Sequence, residues 1–488
     1  MTSTSVAQLT FLGAAQTVTG SKHLLNVNGR QVLFDCGLFQ GQKELRERNW
    51  HNLPFNPANL DAVVLTHAHL DHSGYLPKLV AAGFKGRIFC TPGTLDLCRL
   101  VLPDAGRIQE EDARQANRHG YTKHQPALPL FTEVDAFHAI DRLQPVGYER
   151  PIEIVPGVEV DFVPAGHLLG SAYARVHIAA AGAARGAPSV SGSGTAARSE
   201  SRLRILFGGD LGRFGRPVLR DPTPIAETDI LLVESTYGDR QHEPDDEGAR
   251  LGALITRTAE RGGKVIIPAF AIGRTEEVLF WIKRLEEQKR IPVLPVFVDS
   301  PMAVDALEFY SSRLEELDDE LDAERGAAGR AVSAFATARF QTIQTPAHSK
   351  ELTASKMPSI VISASGMATG GRVLHHLKAA LPDARNTVLF VGYQAEGTRG
   401  RQLIDGARSV KIHGAQVPVA ASIEQIDSMS AHADQREILR WLRGLTRPPR
   451  TTYLVHGEPG PMATLRPVIE TELGWPVYMP ALGESVEL

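Results

Sequence analysis

Short apolar runs bounded by turn residues dominate the first part of the chain. Segments such as RQVLFDCG, LDAVVLTHAH, VEVDFVPAGH and RILFGGD are apolar over a few residues and then reach glycine, histidine or aspartate. Runs of this kind predict β-strands. Longer stretches with helical spacing, at residues 75–83 and around residues 95–117, predict helices between the strands. Residues 181–201 are rich in glycine, alanine and serine without apolar periodicity, so they predict a loop between two strands.

From about residue 236 the pattern changes to an alternation of strands and helices. GGKVIIPAF leads into GRTEEVLFWIKRLEEQKR, and PSIVISASG leads into GGRVLHHLKAALP. Repeated β–α units of this kind predict a parallel sheet with helices on both faces. Short strands return after about residue 416. We therefore predict an α/β protein with a first domain at residues 1–238, an inserted domain at 239–415 and a return to the first domain at 416–488.

Composition and net charge exclude fewer classes of function than the hydrophobic pattern excludes classes of fold. The chain has 488 residues and a formal net charge of −4, so its overall charge does not favour a general nucleic-acid binder. A nucleic-acid substrate would have to be held by a local basic groove and by metal. The three cysteines form no CxxC pair, and neither a signal peptide nor a run of eighteen apolar residues occurs. We expect a cytoplasmic protein that does not bind membranes.

The strongest chemical signal is a cluster of four potential metal ligands within six residues. His67, His69, Asp71 and His72 follow DAVVLT, an apolar run that predicts a buried strand. Imidazole nitrogen and carboxylate oxygen are the ligands of open, catalytic zinc sites. Burying four such groups without a metal would be costly. The spacing therefore predicts a metal centre at the end of this strand.

Four more predicted strands end in residues that can bind metal. VDFVPAGH ends in His167, RILFGGD in Asp210, DILLVE in Glu234 and TTYLVH in His456. Strand ends at one edge of a sheet are a usual place for sites in α/β proteins. Together with the first cluster they provide about seven nitrogen and oxygen ligands, enough for two metal ions. A site without sulfur suits hydrolysis, and zinc is favoured, although manganese or iron would fit the same ligands.

At this point the motifs resemble those of a known family. The histidine cluster with its downstream ligands resembles the metallo-β-lactamase superfamily, and further segments resemble its β-CASP branch of nucleases, which includes RNase J and the nuclease subunit of the mRNA cleavage and polyadenylation factor. These segments are SMSAHAD (428–434), LVHGE (454–458), PAFAIGR (268–274), VDSPMA (298–303), SASGMATGGR (363–372) and GYQAEGTRGRQL (392–403). The resemblance covers nearly the whole chain and implies a metallo-β-lactamase αββα sandwich with an inserted β-CASP domain.

The resemblance also implies a role for each site residue. It assigns the first zinc ion to His67, His69, His167 and Asp210. It assigns the second zinc ion to Asp71, His72 and His456, with Asp210 bridging both ions. Asp35 matches the first motif of the family and is expected to orient the ligands from behind them. His432 is expected to act as general acid, oriented by Glu234.

The choice of substrate depends on the family pattern at one position. Members that act on RNA carry histidine where this chain has His456, so single-stranded RNA is expected. An endonuclease of RNA processing or decay is expected, whose cleavage would leave 3′-hydroxyl and 5′-phosphate ends, with additional 5′→3′ exonuclease action left open. Within SASGMATGGR, Ser365 and Gly366 would bind a phosphate at a helix N-terminus, with Arg372 and Arg274 adding charge.

Three other functions and the oligomeric state stay open from the sequence. A small-molecule thioester or lactam hydrolase would not need the inserted domain or the pair His432 and His456. A DNA nuclease is disfavoured by His456. A catalytically silent RNA-binding subunit would be expected to have lost metal ligands, and every expected ligand occurs here. A homodimer, which is common among similar proteins, is neither required nor excluded.

Overall fold

The computed structural model describes residues 7–120, 122, 124–179, 202–243, 246–313, 316–318, 321 and 335–488. The loop predicted at residues 181–201 lies outside the described residues. The described residues form two seven-stranded sheets, one six-stranded sheet and one two-stranded hairpin. Helices flank the larger sheets, which confirms the predicted α/β class.

The two seven-stranded sheets belong to the first and last parts of the chain. In spatial order, the strands of the first sheet are Ser485–Glu487, Ala7–Phe11, His23–Val27, Arg30–Phe34, Ala62–Val64, Arg87–Cys90 and Leu143–Pro145. Those of the second sheet are Val477–Tyr478, Thr451–Val455, Ile230–Glu234, Leu203–Phe207, Ala172–Ile178, Val158–Pro164 and Ile152–Val155. Each sheet therefore contains strands from both ends of the chain.

These two sheets pack face to face around one apolar core. Inward side chains from both sheets, among them Leu9, Phe162 and Leu232, are buried in it. Phe34 of the first sheet stacks on Phe207 of the second, with ring centroids 3.6 Å apart and planes at 1°. Fully burying a side chain of this size stabilises the fold by about 1.5–3 kcal/mol. The shared core therefore holds the two strand layers in fixed positions.

Helices cover the outer faces of this sandwich. Those on the first sheet are Leu76–Ala81, Pro92–His119 and Glu133–Ile140, and those on the second are Gln435–Leu442 and Pro459–Glu472. Two short helices, Lys43–Arg48 and Leu70–Ser73, lie in connecting segments. The long helix begins where the Thr91 side chain accepts a hydrogen bond from the Thr94 backbone, and it ends at Gly120, whose φ is 61°. The layers are those of the predicted αββα sandwich.

The middle of the chain forms the six-stranded sheet, in which every neighbouring pair is parallel. Its strands, in spatial order, are Phe340–Thr342, Val296–Val298, Ile360–Ser363, Val265–Pro268, Thr387–Phe390 and Ser422–Gln425. Helices Ala249–Glu260, Arg274–Glu287 and Pro301–Ser312 pack on one face, and helices Pro346–Ala354, Val373–Ala380 and Arg399–Ile404 pack on the other. A hairpin of Ser409–Ile412 and Ala415–Pro418 lies beside the second group.

The inserted domain contacts the sandwich along the long helix. Helix Pro92–His119 contacts helix Pro301–Ser312, and Arg313 forms an ion pair with Asp96. Strand Ser422–Gln425 belongs to the parallel sheet of the inserted domain, although it lies beyond residue 415, the predicted end of that domain. The domain boundaries stay a prediction. The three cysteines are buried and unpaired. Among the residues that the structure describes, no helix is long and apolar enough to span a bilayer.

Candidate metal centre

Ends of strands from both sheets of the sandwich bring the predicted site residues to one edge. His67 and His72 follow strand Ala62–Val64, and Asp35 follows the adjacent strand Arg30–Phe34. From the second sheet, His167 follows Val158–Pro164, Asp210 follows Leu203–Phe207, Glu234 ends Ile230–Glu234 and His456 follows Thr451–Val455. The cluster is therefore assembled from strands that are distant in sequence but have fixed neighbours in space.

Four donor atoms of the first group face one another. His69 Nδ1 lies 3.2 Å from both His67 Nε2 and His167 Nε2. Asp210 Oδ2 lies 3.4 Å from the same two Nε2 atoms. Ligands placed tetrahedrally about 2.0–2.1 Å from a zinc ion would be about 3.3–3.4 Å from one another. The spacing of these four side chains therefore fits one tetrahedral zinc ion.

The second oxygen of Asp210 faces the other group. Asp210 Oδ1 lies 3.1 Å from His72 Nε2 and 3.4 Å from His456 Nδ1. His456 Nε2 in turn lies 3.4 Å from Asp71 Oδ2. Asp71, His72 and His456 thus form a second set of potential ligands that shares Asp210 with the first. A carboxylate with one oxygen directed to each group can bridge two metal ions.

Two buried atoms in this cluster have unmet hydrogen-bonding capacity. His72 Nε2 and Asp210 Oδ1 are both inaccessible to solvent, and although they lie 3.1 Å apart, neither forms a hydrogen bond with the other or with any other described residue. Leaving a buried polar atom unpaired costs about 1–3 kcal/mol. A metal ion between them would satisfy both atoms at once. The residues present therefore fit a metal centre.

Hydrogen bonds behind the cluster turn the histidine rings toward its centre. His72 Nδ1 lies 2.7 Å from Asp35 Oδ2, and His67 Nδ1 lies 3.1 Å from Thr66 Oγ1. His167 Nδ1 lies 3.3 Å from the Ala431 carbonyl oxygen. In each ring, the hydrogen bond at Nδ1 leaves Nε2 available to bind a metal. Residues outside the ligand set usually fix the tautomer of a ligand histidine in this way.

Backbone strain marks two of the site residues. Asp35 and His456 have positive φ angles, of 57° and 47°. Residues other than glycine seldom adopt this left-handed region, and doing so costs about 1–3 kcal/mol. Each of the two residues directly follows a strand, so the strained angle turns its side chain out of the sheet toward the cluster.

His432 approaches the metal ligands from the segment before helix Gln435–Leu442. Its Nδ1 lies 3.1 Å from both carboxylate oxygens of Glu234, and its backbone carbonyl lies 3.0 Å from His242 Nε2. Asp434 caps the helix by accepting from the Glu437 backbone and also accepts from the His242 backbone. His432 is therefore held by its ring, its backbone and the helix that follows it.

Burial and neighbouring charge set the protonation of these groups. Burial lowers the pKa of His69 to about 3 and holds that of His167 well below its usual range. Neutral imidazole is the form that binds metal. Burial opposes ionisation of Asp35, but the adjacent His72 lowers the pKa of that carboxyl. Burial likewise opposes protonation of His432, but the Glu234 carboxylate raises its pKa to about 9.

The four predicted phosphate-binding residues are arranged differently from the expectation. Ser365 and Gly366 do not lie at a helix N-terminus, because the helix begins only at Val373. Ser365 Oγ instead accepts hydrogen bonds from backbone N–H groups of its own loop, residues 369 and 370. The guanidinium of Arg372 donates to Asp299 over 2.8 Å, and the buried Arg274 pairs with Glu277. Phosphate binding by these four residues stays a prediction.

Several residues that support the site were missed by the sequence reasoning. Thr66 donates through its backbone and hydroxyl to Asp35, and Ser21 donates to the same carboxylate over 3.3 Å. Thr236 Oγ1 lies 3.2 Å from His456 Nδ1. Phe270 brings the inserted domain to the cluster, with its ring centroid 6.4 Å from that of His69. Thr66 could have been found, since it directly precedes the first ligand.

Family models match three parts of the chain. The beta-lactamase superfamily domain matches residues 30–253, the Beta-Casp domain matches residues 275–403 and the Zn-dependent metallo-hydrolase RNA specificity domain matches residues 416–480. The predicted metal ligands lie in the first and third of these matches. A metal site is therefore supported both by the family and by the cluster of histidine and aspartate side chains.

Individual relatives match over almost the whole chain. Ribonuclease TTHA0252 of Thermus thermophilus is 36% identical over 97% of this chain and 98% of its own length. Transcription termination factor FttA of Methanocaldococcus jannaschii is 29% identical over 92% of this chain and 67% of its own length. A crystal structure of a protein of unknown function from Enterococcus faecalis has a similar fold, with a TM-score of 0.51 at 13% identity, covering 99% of this chain and 100% of that one. The chain belongs to the β-CASP family of the metallo-β-lactamase superfamily.

Proposed function

We propose that this chain is a ribonuclease that binds two zinc ions and hydrolyses RNA phosphodiester bonds. The position of Asp210 carries the proposal, since one of its oxygens faces His67 and His167 and the other faces His72 and His456. A shared carboxylate between two ligand groups is the arrangement expected of a two-metal hydrolase. We assign His67, His69, His167 and Asp210 to one ion, and Asp71, His72, His456 and Asp210 to the other.

Two zinc ions bound here would lower the pKa of water and stabilise negative charge on the phosphate. The protein would hold the ligand rings in position through Asp35 and Thr66. His432 is the proposed general acid: its Nδ1 is bonded to Glu234, which leaves Nε2 to donate a proton to the departing 3′ oxygen. The products would carry 3′-hydroxyl and 5′-phosphate ends.

RNA is preferred over other substrates on two grounds. One relative that aligns over nearly its full length is named a ribonuclease. The family model for an RNA specificity domain also covers residues 416–480, which include His432 and His456. A small-molecule hydrolase would have no use for the six-stranded domain beside the cluster, and a silent subunit would not retain all seven ligands.

The experiment is cleavage of end-labelled single-stranded RNA and of DNA of the same sequence by zinc-loaded protein. The test variant is Asp71→Ala/His72→Ala, and the control is Asp383→Ala, which removes an exposed carboxylate paired with Arg385 on the inserted domain. We expect RNA to be cut with 5′-phosphate ends by the control and not by the test variant. Cleavage of neither polymer, or equal cleavage by the test variant, would overturn the proposal.

A further inference from the structure

One exposed surface of the inserted domain is basic although the chain as a whole carries a net negative charge. Helices Pro346–Ala354 and Val373–Ala380 contact each other there, and the hairpin that turns at His413 lies beside them. We call this surface the basic patch, formed by Lys350, His375, Lys378, Arg399 and His413. The rings of His375 and His413 lie 4.5 Å apart.

The cations of this patch have no acidic partner within the part of the chain that the structure describes. Among the described residues, neither Lys350 nor Lys378 forms an ion pair, and Arg399 donates only to backbone carbonyls, those of Ala368 and Lys411. Three other arginines of the same domain, by contrast, have acidic partners. Arg257 pairs with Glu424, Arg385 with Asp383 and Arg401 with Asp405. The charge of the patch is therefore available to a ligand.

The pKa values of the two histidines reflect their burial and the positive charge of the patch. Burial lowers the pKa of His375, and the nearby cations lower it further, among them Lys378 and Lys350. Burial, Lys378 and Arg399 lower the pKa of His413 in the same way. Neutral imidazole rings among cations offer flat surfaces for stacking beside charges for phosphates, a combination typical of sites for single-stranded nucleic acid.

The basic patch is connected to the metal centre through consecutive contacts. Arg399 donates to the carbonyl of Ala368, in the loop that contains Gly366. Gly366 is packed so closely on Phe270 that an added Cβ would lie 2.9 Å from the ring. The Phe270 ring faces the metal ligand His69. A single loop of the inserted domain, residues 364–372, thus joins the basic patch to the residue that faces His69.

From these observations we infer that the basic patch binds the RNA strand beyond the scissile phosphate, through phosphate contacts of its cations and base stacking on its histidines. The inference rests on the proposed function and adds a second contact region to it. It also supplies the local basic surface that a nuclease with a net negative charge requires.

The test compares RNA of about 30 nucleotides, long enough to occupy two contact regions, with RNA of about 4 nucleotides, the length of one short binding site. The variant is Lys350→Ala/Lys378→Ala, at two exposed helix positions. The matched control is Lys85→Ala/Arg87→Ala, which also removes two positive charges. These two exposed residues lie at the start of strand Arg87–Cys90, at the edge of the first sheet opposite to the metal centre. KM is measured for both RNAs over a series of salt concentrations.

We expect the patch variant to raise the KM of the long RNA by about 2- to 30-fold relative to the short one. The slope of log KM against log salt concentration should decrease by about 1.4, since two phosphate contacts are lost and each contributes about 0.7 to the slope. Unchanged KM and salt dependence for the long RNA, or equal effects of the control, would overturn the inference. Cleavage of the short RNA by the unaltered protein reports separately on the proposed function.

Discussion

Asp35→Asn should weaken the binding of the zinc ion that we assign to His72 and leave the affinity for the other ion unchanged. Asp35 accepts from the Thr66 backbone with Oδ1, at 2.8 Å, and faces His72 Nδ1 with Oδ2, at 2.7 Å. Asparagine can keep the first bond only by placing its NH₂ group against the His72 ring. His72 Nδ1 would then have to accept a hydrogen bond, which moves the proton to Nε2, the atom that would bind the metal.

The magnitude follows from the role of an outer carboxylate. Loss of such a partner typically weakens metal binding about 10- to 100-fold, or about 1.4–2.7 kcal/mol. Among the described residues, His69 and His167 make no hydrogen bond to Asp35, and His67 is connected to it only through Thr66 Oγ1. The ion assigned to these three histidines should therefore keep its affinity. The expected result is one tight and one weakened zinc ion per chain.

The assay is competition for zinc between the protein and a chelator of known affinity. Asp299→Asn is the matched control, because Asp299 is also a buried carboxylate bonded to a histidine, 2.6 Å from His376 Nε2, but lies in the inserted domain. Two zinc ions of unchanged affinity in Asp35→Asn would refute the reasoning. Equal weakening of both ions would refute the assignment of Asp35 to His72 alone.

Three further predictions follow from individual side chains. His432→Ala should keep both zinc ions, by metal analysis, and slow RNA cleavage about 10²- to 10⁴-fold; loss of zinc would contradict its role as general acid. Burial raises the pKa of Glu276 from 4.5 to about 8, and neither of its carboxylate oxygens has a hydrogen-bond partner among the described residues. The folded protein therefore keeps a proton that the unfolded chain loses, so the contribution of Glu276 to the free energy of unfolding is full below about pH 4.5 and declines up to about pH 8. Denaturant titrations should show a smaller decline over this window in Glu276→Gln, and an identical decline would contradict the prediction. Phe207→Ala should lower the free energy of unfolding by about 3–5 kcal/mol, since the ring stacks on Phe34 in the core between the sheets; a loss below about 1 kcal/mol would contradict it.

Local patterns predicted the parallel sheet of the inserted domain, and the family resemblance implied the αββα sandwich, but no local pattern showed how the ends of the chain meet. The β–α alternation after residue 236 indicated the parallel sheet, because each strand and helix has its own apolar period. Nothing local indicates that Val486 pairs with Leu9, or that strand Thr451–Val455 lies beside Ile230–Glu234. Such pairings join residues hundreds of positions apart, and the apolar period of each strand is the same whichever neighbour it has.

In the site, too, features local in sequence could be predicted, and contacts between distant residues could not. Ligands at strand ends could be recognised because strand and ligand are adjacent in sequence, as in His67 after DAVVLT. The Arg274–Glu277 pair was also recognisable, since residues three apart meet on a helix. The partner of Arg372 was not, because Asp299 is far away in sequence and reaches it only through the parallel sheet. Thr236, behind His456, carries no pattern that separates it from any other threonine.

The most direct test of the two-zinc account is a titration of metal-free protein with zinc while the cleavage of single-stranded RNA is measured. The account predicts that activity rises until two zinc ions per chain have been added and that the products carry 5′-phosphate ends. Full activity with one zinc ion per chain, or no activity with two bound, would contradict it.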